Sequence, residues 1–239
     1  MTITATIITK NEEKDLGRTL VSLGFVDEII VVDSGSTDRT VEIAKKTGAR
    51  VIEHQFVSYA DQRNFADEQV TTDWIISLEA DVVISEALAK EIISAIATKT
   101  PTAYFIGREN IIWGKSISVA DWGPKDDNHI WLYQKGVGKW TSAVHEEFAT
   151  PSSTGQLKNP LLHYNYDTVS EYIEKINSYS DMAVNKNQSA SWLSPLIDFG
   201  KRYLYKLGFT AGYHGLFLSY LQAVYLITLN VKLWQKRYT

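Results

Sequence analysis

The feature that most constrains the fold is the alternation of short apolar runs with helix-like segments in the first 80 residues. Four runs rich in Ile and Val are predicted as strands, and one helix-like segment separates each run from the next. The predicted strands are 3–9, 27–34, 49–54 and 73–78, and the predicted helices are 13–23, 36–48 and 59–70. Strands joined by single helices form βαβ units, so the sequence predicts an α/β fold with a mostly parallel sheet.

Three of the predicted strands end in polar clusters. These clusters are Thr9-Lys10-Asn11-Glu12, Asp33-Ser34-Gly35-Ser36 and Glu79-Ala80-Asp81. In parallel sheets ligands bind beyond the carboxyl ends of the strands, so we expect the three clusters to meet at one edge. Asp33 or Ser36 alone would be explained equally well as a helix N-cap. The coincidence of three acid-bearing strand ends favours a shared site.

Glu79 and Asp81 follow a strand that reads as fully buried, and burying an unpaired carboxylate is costly. A divalent cation would neutralise them, and Mg²⁺ or Mn²⁺ prefers oxygen ligands. The sequence has neither a Gly-x-Gly-x-x-Gly turn after the first strand nor a P-loop motif. A Rossmann dinucleotide site and a P-loop are therefore disfavoured, and a metal is the expected means of holding phosphate groups.

Composition excludes several classes of protein. The 239-residue chain carries a formal net charge of −4, which gives no sign of a nucleic-acid partner. It has no cysteine, which excludes disulfides and thiolate metal sites and is typical of a reducing compartment. The apolar start is too short for a signal peptide, so the amino terminus is expected to be the first strand of a cytoplasmic domain.

Several segments together resemble glycosyltransferase family 2. They are "ATIITKNEEKDLGRTLVSL", "EIIVVDSGSTDRTVEIAKKTGARV", "YADQRNFA" and "WIISLEADVVIS", followed by "GRENIIWGKSI", "SAVHEEF" and "LLHYNYDTVSEYIEKINSYSDMA". Within the family the chain is most similar to the lipopolysaccharide-core β-glucosyltransferase branch. The resemblance implies an inverting enzyme with a GT-A fold, a Rossmann-like nucleotide-binding sheet flanked by helices. It also implies a nucleoside-diphosphate sugar donor, UDP-linked, that carries glucose or a related hexose.

The resemblance also implies which residues bind the donor. The expected nucleotide and diphosphate contacts are Thr9, Asn11, Glu12, Asp33, Ser34, Arg63, Asn64, Glu79 and Asp81. Asp81 would be the metal-binding acid of the family's Asp-x-Asp motif, with Glu79 and His145 as further metal ligands. Two positions depart from the family pattern, because Ser34 replaces a second acid and Glu79 replaces the first Asp of the motif. The longer Glu79 side chain is compatible with a ribose contact instead of metal binding.

The region 103–148 is expected to bind the acceptor. It contains Trp113, Trp122, Trp131 and Trp140, whose faces suit sugar rings, although about half of them are expected to be core residues. The resemblance makes a nearby carboxylate the catalytic base. Glu146 is the first choice, and Asp121, Asp126 and Asp127 are the alternatives. The resemblance allows a diphosphate contact as well as a metal role for His145, although a lone histidine is more often structural.

The carboxyl-terminal part of the chain reads as a separate helical extension. We expect a catalytic domain over 1–165, with a nucleotide-sugar half at 1–100 and an acceptor half at 101–165, and an extension at 166–239. No Asp, Glu, Lys or Arg occurs in 207–231, and basic residues flank this stretch. Peripheral attachment through 201–239 to the inner face of the cytoplasmic membrane is favoured. A helix packed on the catalytic domain or on a second copy in a homo-oligomer, and a true membrane span, remain open.

The sequence thus predicts a metal-dependent, inverting glycosyltransferase that acts on a saccharide or lipid-linked acceptor such as lipopolysaccharide core. Two alternatives stay open at this point. A nucleotidyltransferase shares a similar sheet, but its Gly-rich, basic loop after the first strand is not found in "TKNEEKDLG". A catalytically inactive sugar-binding relative is compatible with the departures at Ser34 and Glu79.

Overall fold

A computed structural model of the chain describes residues 1–98, 100–142, 146–184 and 191–238. The chain forms two compact units. The first unit comprises Met1–Glu109 and Asp127–Tyr164, and the second comprises Asn110–Asp126 and Asn165–Thr239. The region expected to bind the acceptor is therefore divided between them. The functional boundary expected at residue 165 stays a prediction.

The strands and helices alternate in the first part of the chain, as the sequence predicts. In chain order they are β1 Ile3–Thr9, α1 Leu16–Val21, β2 Glu28–Asp33, α2 Thr40–Lys46, β3 Arg50–Glu53, α3 Tyr59–Glu68, β4 Trp74–Glu79, β5 Val82–Val83, α4 Glu86–Ile96, β6 Ala103–Ile112, β7 Lys115–Ile117, β8 Asn128–Gln134, β9 Lys139–Thr141, β10 Glu147–Ala149, β11 Thr154–Gln156 and β12 Leu161–Tyr166. Helical segments follow: α5 Val169–Val184, α6 Ser194–Gly200, a π-helical turn Lys201–Tyr205, a 3₁₀ turn Gly208–Ala211 and α7 Tyr213–Gln235.

The first four strands form the parallel part of the sheet, in the order β3-β2-β1-β4. β1 is central and almost fully buried, which explains its continuous apolar and Thr-rich sequence. The register sets Thr9 opposite Asp33 and Ile8 opposite Glu79. The three polar strand ends therefore meet at one edge of the sheet, and this sequence prediction is confirmed.

The rest of the first unit's sheet is mixed. β8 pairs antiparallel with both β4 and β6, while β11 lies parallel to β6. β5 and β12 form a short antiparallel pair, and β9 and β10 form another. Helices α3 and α4 begin at serines whose hydroxyls cap the first turn, Ser58 for Asp61 N and Ser85 for Leu88 N. The α/β class with a mostly parallel sheet, predicted from the sequence, is confirmed.

The second unit has its own apolar core. Residues of β7, α5 and α7 contribute to it, including Ile117, Tyr172, Ile176 and Leu218. Its longest helix, α7, is the one described helix long and apolar enough to cross a membrane by length and composition. The mean hydropathy of its most apolar window is 1.4, but 33% of that window is buried within the protein. The expected C-terminal helical extension is therefore present, with one face of its main helix packed in the unit.

Candidate active site

The first side of the site is built from the loops that follow β1 and β2. Asn11 has a left-handed backbone (φ 57°), and its side-chain Oδ1 accepts a hydrogen bond from Thr37 N at 2.8 Å. Asn11 N donates to Ser36 Oγ at 2.8 Å, and Glu12 N donates to Thr40 Oγ1 at 2.7 Å. These bonds cross from one loop to the other. The two strand-end loops are therefore held together as one rim.

Asp33 organises the second of these loops. Its side chain is buried and accepts hydrogen bonds from Gly35 N at 3.0 Å, Ser36 N at 2.9 Å and Ser36 Oγ at 2.5 Å. Gly35 adopts a positive φ of 82°, which a residue with a Cβ rarely takes. Ser34 N donates to Thr9 O at 3.0 Å and so continues the strand pairing. Asp33 does not act as the N-cap of α2, because that position belongs to Arg39.

The other side of the site contains an acidic group with a histidine. Glu79 ends β4, Asp81 immediately precedes β5, and His163 lies on β12, which pairs with β5. The His163 Nε2 atom is 3.1 Å from Asp81 Oδ2 and 3.9 Å from Glu79 Oε2. One ligand atom from each residue lies within 4.8 Å of the other two. The antiparallel β5–β12 pair thus brings an imidazole to the strand-end acids.

Two arginines hold Glu79 in place. Arg63 NH2 lies 3.0 Å from Glu79 Oε1, and Arg108 NH1 lies 3.0 Å from Glu79 Oε2. Burial acts to raise the pKa of the Glu79 carboxyl, but the guanidinium groups of Arg108 and Arg63 outweigh it and hold the pKa below its usual value. Glu79 is therefore ionised at neutral pH, with each of its oxygens in contact with a cation.

Arg63 is fully buried in a cage of aromatic and acidic groups. Its guanidinium carbon lies 5.0 Å from the ring centre of Trp131 and 4.7 Å from that of Trp140. Its Nε donates to Glu146 Oε1 at 3.1 Å, and its NH1 donates to Ser77 Oγ at 2.9 Å. Trp131 and Trp140 are thus core residues, as expected of about half of the tryptophans. Arg63 links Glu79 to Glu146 across the site.

Asn64, the next residue on α3, also reaches β9. Its amide donates to Trp140 O at 2.9 Å and accepts from Trp140 N at 2.9 Å. This pair of bonds fixes the distance between α3 and β9. Asn64 therefore holds the Arg63 cage together, and its expected nucleotide contact stays a prediction.

The four candidate bases have different surroundings. Both carboxylate oxygens of Asp127 accept hydrogen bonds from Arg108 Nε, at 3.0 and 2.9 Å. Burial acts to raise the pKa of Asp127, but the hydrogen bond from His129 and the charge of Arg108 lower it to about 2. Such a low pKa makes Asp127 a weak proton acceptor.

Asp121 and Asp126 belong to the second unit. Asp121 lies 2.9 Å from Lys206 Nζ and 3.7 Å from Arg202 NH1. Burial acts to raise the pKa of Asp121, but Lys206 and the neighbouring cations hold it below its usual value. Lys206 also lies 3.0 Å from Asp126. Both carboxylates are therefore engaged in ion pairs with basic residues of the segment 201–206.

Glu146 has one oxygen bound by Arg63 and is 13% exposed at its side chain. Among the described residues its second oxygen, Oε2, receives no hydrogen bond. Among the described residues, Glu146 and Asp126 each have a carboxylate held by a single basic side chain, and of these two partners Arg63 is the one that also contacts Glu79 of the acidic group. The other residue expected next to it, His145, lies outside the described residues, and its predicted metal role stays a prediction.

Next to the cage lies a partly buried carboxyl group that was not predicted from the sequence. Asp67, one turn after Arg63 on α3, accepts hydrogen bonds from Tyr133 OH at 3.0 and 2.9 Å. Tyr133 OH in turn accepts a hydrogen bond from Trp140 Nε1 at 2.9 Å. Burial raises the pKa of Asp67 from 3.8 to about 7. Asp67 therefore keeps its proton longer in the folded protein than in the unfolded chain.

We expect the Asp67→Asn variant to gain stability over the wild type as pH rises. Because folding raises the pKa of Asp67, its contribution to the free energy of unfolding is fully present below pH 3.8 and is lost as pH rises to about 7. The difference in unfolding free energy should grow between pH 4 and 7, level off above, and not exceed about 4 kcal/mol. Urea denaturation at several pH values measures it, with the exposed neighbour Glu68→Gln as the control. A difference that is the same at every pH would show that Asp67 does not titrate as stated.

Two residues of the site were not predicted from the sequence, His163 and Arg108. Both lie in segments that carry the family resemblance, "LLHYNYD" and "GRENII". The available signal was a polar residue at an inward-facing strand position. His163 is 5% exposed, and Arg108 lies on β6 with its side chain 17% exposed. A buried histidine or arginine in a strand requires a polar partner, which here is the acidic cluster.

The parallel sheet and its acid-bearing edge are those of a GT-A-type fold. Residues 4–147 match the family model described as glycosyl transferase family 2. The chain belongs to glycosyl transferase family 2, which confirms the resemblance seen in the sequence.

Sequence relatives agree with this membership, and a solved structure shares the fold. An uncharacterised glycosyltransferase from Rickettsia felis is 43% identical over 103 residues, which cover 43% of this chain and 36% of that protein's length. The lipopolysaccharide core biosynthesis glycosyltransferase LpsC of Rhizobium meliloti is 28% identical over 218 residues, covering 87% of this chain and 77% of LpsC. The S. aureus TarS 1–349 structure in complex with UDP-GlcNAc shares the fold, with a TM-score of 0.51, 15% identity, and coverage of 94% of this chain and 82% of TarS 1–349.

Proposed function

We propose that this protein transfers a hexose from a UDP-linked donor to a saccharide or lipid-linked acceptor, with inversion at the anomeric carbon. The observation that carries the proposal is the group formed by Glu79, Asp81 and His163 at the edge where β1, β2 and β4 end. One sequence relative and one structural neighbour support this choice of donor and acceptor. LpsC is named for lipopolysaccharide core biosynthesis, and TarS was solved with UDP-GlcNAc. A core saccharide is therefore the acceptor class we favour.

The donor's nucleoside would lie on the rim formed by the two strand-end loops. Thr9, Asn11, Glu12, Asp33 and Ser34 belong to this rim, and the loop-to-loop hydrogen bonds keep it in one conformation. A rim that is ordered before the ligand arrives loses less entropy on binding. Asp33 already uses both carboxylate oxygens for its own loop. Its role in the proposal is to shape the rim.

The residues fit a divalent cation. Asp81 Oδ2 and His163 Nε2 are 3.1 Å apart, and adjacent ligands of an octahedral ion with bonds of about 2.1 Å are separated by about 3 Å. We assign Asp81 and His163 as the ligands, because both oxygens of Glu79 are in contact with arginines. A set with an imidazole suits Mn²⁺ better than Mg²⁺, which favours oxygen alone. When bound, the ion would neutralise the charge that develops on the diphosphate leaving group.

The two arginines act on the protein's own acids. Arg63 and Arg108 neutralise Glu79, so the cluster can hold a carboxylate beside Asp81 without a prohibitive repulsion. Arg63 also orients Glu146 through its Nε. The diphosphate contact expected of Arg63 from the family resemblance is replaced in this proposal by a positioning role, because the guanidinium is buried among Ser77, Glu79 and Glu146.

Glu146 is the proposed general base. The acceptor hydroxyl oxygen forms a bond to the anomeric carbon while the bond from that carbon to the diphosphate oxygen breaks. The hydroxyl proton passes to Glu146 Oε2, and the electron pair of the broken bond leaves with the nucleoside diphosphate. Attack on the face opposite to the leaving group inverts the anomeric centre. General base assistance of this kind contributes about 10²–10⁴-fold to the rate.

The proposal is tested by incubating the protein with a panel of UDP- and GDP-sugars, with and without Mn²⁺, and measuring release of the nucleoside diphosphate. We expect UDP release from one hexose donor that depends on the metal and increases when a core saccharide is added. Formation of a nucleotide sugar from a nucleoside triphosphate and a sugar phosphate would instead indicate a nucleotidyltransferase. Tight donor binding without any turnover would indicate an inactive sugar-binding relative.

A further inference from the structure

Helix α7 has two faces of different character. The face turned into the second unit is buried and consists of Gly215, Leu218, Ser219, Ala223, Leu229, Asn230 and Leu233. The opposite face carries large apolar side chains that are 45–76% exposed. We call this the outer α7 face, and it consists of Tyr213, Phe217, Tyr220, Ile227, Val231 and Trp234.

The residues of the outer α7 face lie along one side of the helix, with the partly buried Val224 between Tyr220 and Ile227. At 3.6 residues per turn the six residues of this face fall within roughly a 100° arc along the whole helix. Four of the six are aromatic, and Tyr and Trp favour the boundary between water and lipid acyl chains. No charged residue belongs to the stripe. Its composition therefore suits an interface between water and lipid.

The polar residues of α7 are bound within the second unit. Asn230 makes a double contact with the Ser191 backbone, accepting from its N at 3.1 Å and donating to its O at 2.8 Å. Lys232 Nζ donates to Asp181 Oδ1 at 2.6 Å and to Ser180 Oγ at 2.9 Å. Gln222 Oε1 accepts from Tyr172 OH at 3.2 Å. A helix surrounded by lipid would have to lose these contacts, so the structure argues against a membrane span.

The charge of the surrounding segment is opposite to that of the chain as a whole. Residues 191–239 contain six Lys and Arg residues against one Asp, although the whole chain has a net charge of −4. Four of the six, Lys201, Arg202, Lys206 and Lys232, pair with acids of their own unit. The other two, Lys236 and Arg237, directly follow α7. A basic segment beside an exposed apolar stripe attracts anionic lipid headgroups.

We propose that α7 lies in the plane of an anionic membrane surface, with the outer α7 face inserted at the headgroup boundary and the inner face still packed in the second unit. This arrangement is an in-plane attachment, in which the helix neither spans the bilayer nor leaves its unit. The proposal does not depend on the proposed sugar transfer. In this proposal the outer α7 face contacts the membrane. The alternative, which the test distinguishes, is that this face contacts a second copy of the chain.

The test is flotation of the full chain with vesicles of phosphatidylglycerol and phosphatidylethanolamine, and with phosphatidylcholine vesicles for comparison. Ile227→Glu adds a charge to the outer α7 face, and Ile93→Glu is the matched control, because both isoleucines are 49% exposed on helices. We expect wild type and Ile93→Glu to float with the anionic vesicles and Ile227→Glu to float about tenfold less. Point variants are preferable to deletion of 207–239, which would also remove Leu218 from the core.

A second measurement reports the orientation of the helix. Because the chain has no cysteine, a single environment-sensitive fluorophore can be placed at Ile227→Cys or at Ile93→Cys. Anionic vesicles should shift the emission at position 227 to shorter wavelength and leave the emission at position 93 unchanged. Wild-type flotation of Ile227→Glu, or an unchanged spectrum at position 227, would overturn the proposal.

Two further controls separate the alternatives. Light scattering without lipid reports the oligomeric state, and a dimer that Ile227→Glu dissociates, with vesicle binding unchanged, would assign the stripe to a second copy and overturn the proposal. UDP binding by calorimetry should be equal in wild type and Ile227→Glu. Equal UDP binding together with lost flotation would support membrane docking even if no sugar transfer is ever detected.

Discussion

The Asp81→Asn variant should lose metal-dependent sugar transfer while keeping its fold. Asp81 supplies a carboxylate oxygen 3.1 Å from His163 Nε2, and the amide of Asn is a weaker, uncharged ligand. Loss of a metal that stabilises the leaving group is worth several kcal/mol, so we expect the rate to fall by at least about 10³-fold. Initial rates of UDP release at saturating donor and Mn²⁺ measure the effect.

The matched control for this variant is Asp73→Asn, which changes an acid beside the opposite end of β4. Asp73 accepts a hydrogen bond from Thr2 N at 2.8 Å, and Asn can retain that acceptor. Circular dichroism and thermal unfolding confirm that each variant is folded. His163→Gln should reproduce the loss seen with Asp81→Asn, because it removes the other proposed ligand. Wild-type turnover in a folded Asp81→Asn protein would remove Asp81 from the mechanism.

The second large effect is expected at the general base. Glu146→Gln should lower the transfer rate by about two to four orders of magnitude, because the amide cannot accept the hydroxyl proton. Gln can still accept the hydrogen bond that Arg63 Nε now gives to Glu146 Oε1. The Arg63 cage should therefore persist, and affinity for UDP in the presence of Mn²⁺ should change little. Single-turnover rates and calorimetric titration separate these two quantities.

Glu147→Gln serves as the neighbouring control, because Glu147 is exposed at the start of β10. It should keep the wild-type rate. If Glu146→Gln loses UDP binding and keeps its rate at saturating donor, Glu146 is a donor or metal contact. The base would then be sought among Asp121, Asp126 and Asp127, each of which, like Glu146, contacts a basic side chain.

The parallel half of the fold could be predicted because its signals are local. Each strand from β1 to β4 is a run of apolar or β-branched residues, and each run is separated from the next by a helix with its own start and stop residues. The parallel arrangement then follows from the helical crossovers alone. The meeting of Thr9, Asp33 and Glu79 at one edge needed no further information.

The other half of the site depends on pairings that a sequence pattern does not reveal. β5 has two residues, and the strand that pairs with it, β12, begins at Leu161. His163 and Asp81 are separated by 82 residues and are neighbours only because of this short antiparallel pair. Arg108 likewise reaches Glu79 from β6, which is not adjacent to β4 in the sheet, because β8 lies between them. The metal role of His145 was implied by the family resemblance, and it stays a prediction because that residue lies outside the described residues.

The account's central claim is that the edge formed by β1, β2 and β4 binds a nucleoside diphosphate through a metal held by Asp81 and His163. Calorimetric titration of UDP into the full chain, with Mn²⁺ and then with a chelator in its place, tests this claim most directly. We predict that the affinity for UDP measured with Mn²⁺ falls at least about tenfold when the metal is removed. The His163→Gln variant should show the same loss of affinity in the presence of Mn²⁺. UDP binding of the same strength with and without Mn²⁺, or no UDP binding by the folded protein, would contradict the account.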